Sequence, residues 1–300
     1  MAGGAGAGFL RAGQPATLPA TLPPRDPSRA TRILGILNLT PDSFSDGGVD
    51  RSPEDSLRRA RKMVDEGADA LDLGAESSRP GAAEVSAAEE WDRLLPVLAG
   101  ARALGIPVSV DTVKASVAKR ALDAGATMIN DISAMTRDPE MAGVVADAAC
   151  PVVLMHMRGT PADMQERAVY GDVVAESLRE LDTAMSRALS SGVREENILI
   201  DPGLGFAKTA GHNLSILQRL REYTTLGRPL VVGASRKSFL GRITGDTQES
   251  REDATLAVSA LAVAGGASVL RVHEVGRNVR AALTAEAVHS GRLPGEGCPC

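Results

Sequence analysis

A short apolar run followed by a helix-forming segment recurs along most of the chain, and this repeat restricts the fold more than any other feature. The period is about 30 to 40 residues, which is the length of a strand and its returning helix. The runs are short, aliphatic and β-branched, as is typical of strands buried on both faces of a parallel sheet. They cover residues 33–37, 70–73, 107–110, 127–129, 152–155, 198–200, 230–232 and 269–272.

Helix signals separate these runs. Ser52 and Pro53 form a typical N-cap and first helical residue, and Gly67 is a typical stop. Eight such units predict an α/β fold that closes as a single (β/α)8 barrel, whereas an open doubly wound sheet would not normally need eight consecutive units of one hand. Helices are predicted over residues 52–66, 86–104, 114–124, 139–149, 173–191, 253–264 and 277–289.

Composition excludes several classes of protein. The chain is 43% hydrophobic, yet no apolar run approaches the length of a membrane-spanning helix, so we expect a soluble protein without a membrane partner. A net charge of −5 argues against a nucleic-acid partner, because phosphate binding in bulk needs an excess of clustered Lys and Arg. The 3 cysteines form no framework of spacings, which favours a reducing cytoplasm.

Both ends of the chain differ from the repeating part. Residues 1–31 are rich in Ala, Gly, Pro and Thr without hydrophobic periodicity, and we predict a disordered extension there. The barrel domain is expected to span residues 32–290. Residues 291–300 are expected to form a flexible tail, in which Cys298 and Cys300 lack the further ligands of a metal site.

Polar residues follow the carboxyl ends of the predicted strands. Taken singly, each could be a helix cap or a turn residue. In a barrel, however, these ends share one rim, so side chains from distant parts of the chain are expected to converge on one cavity. The residues are Asn38, Arg79, Asp111, Asn130, His156, Asp201, Lys237 and His273.

One group of rim residues offers acceptors, an amide and an amine. Such a set suits the edge of a small nitrogen-rich ring that carries both NH and C=O groups. The group consists of Asp111, Asn130, Asp201 and Lys237. Phenylalanines in the rim loops could pack against a planar ligand, with core packing as the alternative role. These phenylalanines are Phe44, Phe206 and Phe239.

A second group supplies hydroxyl, amide and cationic donors, which suit an anion such as a diphosphate. Asn38 could also give a neutral oxygen to Mg²⁺, which is bound mainly through substrate phosphates. The turn at residues 235–238 opens a possible helix whose free N–H groups would accept a carboxylate. The donors are Asn38, Ser78, Arg79, Arg271 and His273, and no catalytic nucleophile is evident from the spacings.

Residues 32–289 resemble bacterial dihydropteroate synthases, because the motifs of that family occur in the same order. The motifs are Asn38–Gly48, Glu76–Gly81, Ser109–Thr112, Asn130–Asp131, Met155–Met157, Asp201–Phe206, Ser235–Lys237 and Arg271–His273. The resemblance implies a TIM barrel that joins 6-hydroxymethyl-7,8-dihydropterin diphosphate to p-aminobenzoate, releasing diphosphate and forming 7,8-dihydropteroate for folate synthesis. A pterin-methyl cation, Mg²⁺, a homodimer and sulfonamide binding at the p-aminobenzoate site are also implied.

The resemblance assigns roles residue by residue. The pterin would be held by Asp111, Asn130, Asp201 and Lys237, packed by Met155 and Phe206, with Arg236 stacking across it. Asn38 would bind Mg²⁺, while Ser78, Arg271 and His273 would bind the diphosphate. Phe44, Pro80, Lys237 and Ser238 would line the p-aminobenzoate site. The expected catalytic residues are Asp111, Asp201, Lys237, Arg271 and His273.

Some features leave other interpretations open. Ala75 stands where members of the family often have glycine, so the local backbone is expected to differ slightly. A non-catalytic pterin-binding paralogue would be expected to lose the loop at Arg79 or at Arg236, and both are intact. A methyltetrahydrofolate-dependent corrinoid methyltransferase shares the barrel but needs no diphosphate cluster. Residues 40–48 are a candidate mobile lid that carries Phe44 over the second substrate.

Overall fold

Eight parallel strands form one sheet in the computed structural model, which describes residues 16–40 and 52–294. They are β1 (Arg32–Asn38), β2 (Ala70–Gly74), β3 (Val108–Asp111), β4 (Met128–Asp131), β5 (Val152–Met155), β6 (Ile198–Asp201), β7 (Val231–Val232) and β8 (Val269–Val272). The strand order is β6-β5-β4-β3-β2-β1-β8-β7. A parallel bridge between Ile200 and Leu230 joins the two edges, so the sheet closes into the predicted barrel.

Helices cover the outside of the barrel. They are α1 (Pro53–Asp65), α2 (Ala87–Arg102), α3 (Ala115–Asp123), α4 (Met141–Ala148), α5 (Val173–Ser190), α6 (Ala210–Gln218), α7 (Ser238–Thr244), α8 (Gln248–Ala264) and α9 (Val275–Ser290). The Ser52 side chain caps α1 as predicted. Helix α6 was not predicted, because only Asn213 and Ile216 of it are buried and it has little apolar periodicity. No helix of the described residues is long and apolar enough to cross a membrane.

The barrel interior changes from apolar to polar along the strand direction. Alternate strand residues point inward, so each inward position is followed two residues later by another. Ala70 of β2 belongs to an apolar cluster, whereas Asp72 two residues on is charged. The same step leads from Val269 to Arg271. The apolar layer consists of Leu34, Ala70, Met128, Val153, Leu199, Val231 and Val269.

The segment before β1 closes the amino end of the barrel. Leu22 is buried in the apolar layer, and Leu18 packs against it. Arg29 donates to Asp69 at 2.6 Å, with both side chains 1% exposed. Residues 16–31 therefore depart from the expected disordered extension, because isolated leucines among prolines give no period from which such packing can be predicted. Residues 1–15 and 295–300 lie outside the described part.

We expect Arg29→Ala to lower the free energy of unfolding by about 3 kcal/mol, since it leaves the Asp69 carboxylate buried without its cation. Urea denaturation followed by circular dichroism measures this. Arg58→Ala is the matched control, because Arg58 is 70% exposed in its pair with Asp55 and its loss should leave stability nearly unchanged. Equal effects of the two substitutions would show that the segment contributes little.

Candidate active site

The carboxyl ends of the strands bring the predicted ring-binding residues together. Asp111 of β3 lies beside Asn130 of β4 in the sheet register, and Asp201 ends β6. The Lys237 ammonium lies 4.4 Å from the centre of the Phe206 ring. A small apolar cluster borders these groups, and it consists of Ile132, Met155, Met164, Phe206 and Ala207.

An ion-pair network lies beneath these side chains. The Arg271 guanidinium donates through Nε to Asp72 Oδ2 at 2.6 Å and through Nη2 to Asp111 Oδ2 at 2.6 Å. Asn130 Nδ2 donates to the same Asp72 oxygen at 3.1 Å. Asp72 was not among the predicted site residues. The available signal was a carboxylate inside an otherwise apolar strand buried on both faces, which requires a partner.

Several acceptor atoms at the rim have no hydrogen-bond partner among the described residues. Asp201 Oδ1 accepts from the Gly203 backbone N–H at 2.7 Å, while its Oδ2 accepts no hydrogen bond from the described residues. Asn130 uses its Nδ2 for Asp72, so its Oδ1 is the atom that remains. Together with Asp111, these atoms form an acceptor-rich edge that matches a ring carrying NH and NH₂ groups.

Burial changes the ionisation of the groups around this edge. It raises the pKa of Asp111 to about 7 despite the nearby Arg271 cation. It also raises the pKa of Asp201, against the attraction of Lys237. The pKa of Lys237 is lowered to about 8, since burial disfavours the ammonium more than Asp201 favours it. Both an acidic and a basic group therefore titrate close to neutral pH.

We expect a bell-shaped pH profile of kcat/KM for the pterin substrate that the resemblance implies, with limbs near pH 7 and pH 8. Below the first limb Asp111 is protonated, and above the second Lys237 is neutral. Activity should fall about tenfold per pH unit beyond each limb. Lys237→Arg should move the alkaline limb upward, because a guanidinium stays charged. The dissociation constant of the dihydropterin alcohol, measured over the same pH range, checks that the limbs do not reflect ionisation of the substrate diphosphate. A flat profile between pH 6 and 9 would contradict this assignment.

His273 is arranged as a donor on the other side of the cavity. Its backbone N–H donates to Ser235 Oγ at 3.2 Å, and its Nδ1 lies 2.9 Å from the same hydroxyl. Burial and the cation of Arg236 lower the pKa of His273 well below its usual value. The neutral ring therefore accepts the Ser235 proton at Nδ1 and carries its own proton on Nε2, which suits an anionic oxygen.

Other predicted site residues are not gathered at this edge. Arg79 and Pro80 are exposed, in a loop tied by the Gly81 N–H to Pro161 O at 3.1 Å. Arg236 pairs with Glu252 at 3.2 Å and with Glu274 at 2.6 Å. Its φ of 59° is in the left-handed region, a strained conformation that often accompanies functional sites.

The phenylalanines separate into different environments. Phe239 of α7 is buried in the main hydrophobic core, so it is a core residue rather than a wall of the cavity. Phe206 borders the cavity. Of the candidate lid at residues 40–48, residues 41–48, which include Phe44, lie outside the described residues.

The loop after β6 is supported from behind by a buried lysine that the sequence analysis did not single out. Lys208 Nζ donates to Phe206 O at 3.0 Å and lies 2.9 Å from His156 Nδ1. Burial lowers the pKa of His156 to about 4 and that of Lys208 to about 7. Gly203 has a φ of 69°, and a Cβ there would lie 1.9 Å from His156 O, so only glycine fits.

A single neutral oxygen is the predicted metal ligand. Asn38 Oδ1 and Asp111 Oδ2 each lie 3.8 Å from the position that a Cβ on Gly74 would occupy. The described residues contain no cluster of three or more His, Cys, Asp or Glu side chains that could hold a metal. This donor set fits Mg²⁺ that reaches the site mainly through substrate phosphates. Ala75 is buried and does not have a positive φ, so alanine is accommodated without strain.

A cleft leads outward from Asp111. It runs between the loops that follow β2, β4 and β5, and Ser78, Ile132 and Met157 are among its lining residues. A second small ligand could therefore reach the pocket edge from this side.

Comparison with known proteins identifies the family of the chain. The model of the pterin binding enzyme family matches residues 34–273. A dihydropteroate synthase of Synechocystis sp. is 46% identical over 252 residues, covering 83% of this chain and 87% of the relative. A Yersinia pestis dihydropteroate synthase in a sulfonamide drug complex superposes with a TM-score of 0.84 at 39% identity, covering 90% of this chain and 99% of that one. A Xanthomonas albilineans dihydropteroate synthase in complex with 7,8-dihydropteroate gives 0.78 at 39% identity, covering 88% and 95%.

The fold and the comparisons define a (β/α)8-barrel enzyme. The chain belongs to the pterin-binding enzyme family and, within it, to the dihydropteroate synthases, which are transferases of folate synthesis. The predicted family and barrel fold are thereby confirmed.

Proposed function

We propose that the rim residues join 6-hydroxymethyl-7,8-dihydropterin diphosphate to p-aminobenzoate and so form 7,8-dihydropteroate and diphosphate. The observation that carries the proposal is the set of acceptors on Asp111, Asn130 and Asp201 at the carboxyl ends of β3, β4 and β6, near the Lys237 ammonium. The amino and N–H groups of the pterin would donate to the acceptors. Its carbonyl oxygen would accept from Lys237.

Charge around the ring would favour cleavage of the bond to the diphosphate. Asp111 and Asp201 lie close to where positive charge develops as the C–O bond breaks, and both are preorganised by hydrogen bonds. His273 Nε2 and Arg271 would bind the departing diphosphate oxygens, with Ser78 at the entrance. The electron pair of the C–O bond leaves with the diphosphate, and a pterin-methyl cation remains.

The aniline nitrogen of p-aminobenzoate then attacks the methylene carbon, and the nitrogen loses its proton afterwards. Because an aniline is already a competent nucleophile near neutral pH, the reaction needs no dedicated general base. In the proposal the second substrate lies against Pro80, Lys237 and Ser238. Ser238 supports this, since it is exposed at the start of α7 beside the Lys237 side chain.

Mg²⁺ is the proposed metal, with Asn38 as its protein ligand. When bound, the ion would withdraw negative charge from the diphosphate and so improve the leaving group. The position of Asn38 Oδ1 near the Asp111 carboxylate supports this assignment.

We also propose a cytoplasmic homodimer. Neighbouring outer helices expose large apolar side chains, with Leu214 of α6 47% exposed, Ile243 of α7 58% and Leu261 of α8 67%. Apolar groups gathered on one face of a barrel favour contact with a second copy. Bacterial relatives and the absence of a disulfide framework support the cytoplasm.

Mass spectrometry of the purified protein with both substrates and Mg²⁺ tests the function. We expect 7,8-dihydropteroate to appear and to depend on p-aminobenzoate. Retained pterin binding without product would favour the non-catalytic paralogue. Methyl transfer from methyltetrahydrofolate to a corrinoid would favour the methyltransferase instead.

A further inference from the structure

Asp72 has no role in the reaction proposed above, although it is the most deeply enclosed carboxylate of the site. It lies inside β2, one layer below the rim, and is 0% exposed. Burying a carboxylate is costly unless it is paired and hydrogen-bonded. Its Oδ2 accepts from Arg271 Nε at 2.6 Å and from Asn130 Nδ2 at 3.1 Å. A single oxygen thus links a cation and an amide that are both assigned to substrate binding in the proposed function.

We infer that Asp72 is a positioning residue that fixes the direction of the Asn130 amide and the plane of the Arg271 guanidinium, and thereby determines which ring edge the cavity accepts. The inference rests on the proposed assignment of Asn130 and Arg271 to substrate binding. It adds a specificity determinant that contacts no substrate itself.

The amide of Asn130 is the first part of the argument. A primary amide presents an acceptor on one side and donors on the other, and rotation by a half turn exchanges them. Asp72 Oδ2 accepts from Nδ2, so this contact holds the Nδ2 side of the amide and leaves Oδ1 for the ligand. A ligand N–H can then donate to Asn130 Oδ1, whereas a ligand acceptor at the same place would be repelled by this oxygen.

The guanidinium of Arg271 is the second part. Its plane is held at two corners, with Nε on Asp72 and Nη2 on Asp111. The third nitrogen, Nη1, has no hydrogen-bond partner in the part of the chain that the structure describes, so it is left for a substrate oxygen. Without Asp72 the guanidinium could pivot about its remaining contact with Asp111, and this direction would be lost.

A simpler role for Asp72 would be to balance the charge of Arg271 and nothing more. The two roles differ in their coupling to Asn130. A charge-balancing residue would act independently of that side chain, whereas a positioning residue acts through it. A double-mutant cycle therefore distinguishes them.

The cycle combines Asp72→Asn with Asn130→Ala and measures the dissociation constant of 6-hydroxymethyl-7,8-dihydropterin by calorimetry. We expect Asp72→Asn alone to raise this constant about tenfold or more. In the Asn130→Ala background the same substitution should raise it less than about threefold. Ser109→Ala is the matched control, because Ser109 lies opposite Asp72 in the sheet register and its buried Oγ has no partner in the described residues. The control should bind the dihydropterin as the unchanged chain does.

Two results would overturn the inference but leave the proposed function standing. One is an unchanged dissociation constant for Asp72→Asn, and the other is a double variant whose fold-change equals the product of the two single fold-changes. If Asn130→Ala itself binds the dihydropterin normally, the proposed site fails and the inference fails with it.

A measurement on the unchanged chain covers the case in which Asp72→Asn does not fold. With ¹⁵N-labelled asparagine, the side-chain N–H signals of Asn130 should be protected from solvent exchange both without and with the dihydropterin. Release of these protons on ligand binding would show that the amide turns toward the ligand, and would overturn the inference.

Discussion

Replacing Lys237 by alanine should lower kcat/KM for the pterin diphosphate by about 10²- to 10³-fold, because it removes a preorganised donor from a water-poor site. The ammonium lies over the Phe206 ring and donates to Leu204 O, so it is held in place before the ligand arrives. Its pKa of about 8 keeps it charged at neutral pH. Steady-state kinetics with each substrate varied in turn measure the loss.

Packing must be separated from chemistry in this experiment. The Lys237 stem lies against the loop after β6, where a Cβ on Gly205 would be 2.9 Å from Lys237 Cδ. Lys237→Met keeps most of that stem and removes only the amine, so it should lose nearly as much activity as the alanine variant. Lys119→Ala, on the outer face of α3, is the control and should be fully active. Near-normal turnover of the methionine variant would refute the role of the amine.

The barrel could be predicted because each apolar run is buried on both faces and followed by a helix. The predicted strand ends were nevertheless short. Strands β1, β3 and β6 each continue by one residue, into Asn38, Asp111 and Asp201. Hydropathy alone predicts loops at these polar residues, but the barrel interior at this end is polar and ion-paired, so the strands continue into it. These predicted site residues are therefore polar residues that are nevertheless part of a buried strand.

The residues of the candidate site also form two groups, one that could be predicted from the sequence and one that could not. Residues that face the cavity, such as Asn130 and Asp201, could be found from their position at strand ends. Asp72 and Lys208 act on other protein groups, and only their burial and partners reveal this. The direction of Arg236 toward two glutamates depends on how α8 and α9 pack against the barrel, which no local pattern encodes.

Asp201→Asn should reduce kcat/KM for the pterin diphosphate by about 10³-fold. The reason is that the asparagine NH₂ group, a donor, would then face the N–H donors of the pterin ring. Asp201 Oδ1 receives the Gly203 N–H, and the asparagine oxygen can keep that bond. The amide nitrogen then replaces the open Oδ2. The dissociation constant of the dihydropterin, which carries no leaving group, reports the binding part of the loss.

The remainder of the loss should appear in kcat, because the substitution also removes a negative charge close to the developing cation. Asp123→Asn, on the exposed side of α3, changes the net charge equally and should alter neither quantity. An unchanged dissociation constant with a lowered kcat would mean that Asp201 acts on the cation and not on the ring edge. The hydrogen bond from the Gly203 N–H is retained in this variant, so the loop should not move. A loss of dihydropterin binding or of kcat can therefore be attributed to the replaced Oδ2 of Asp201.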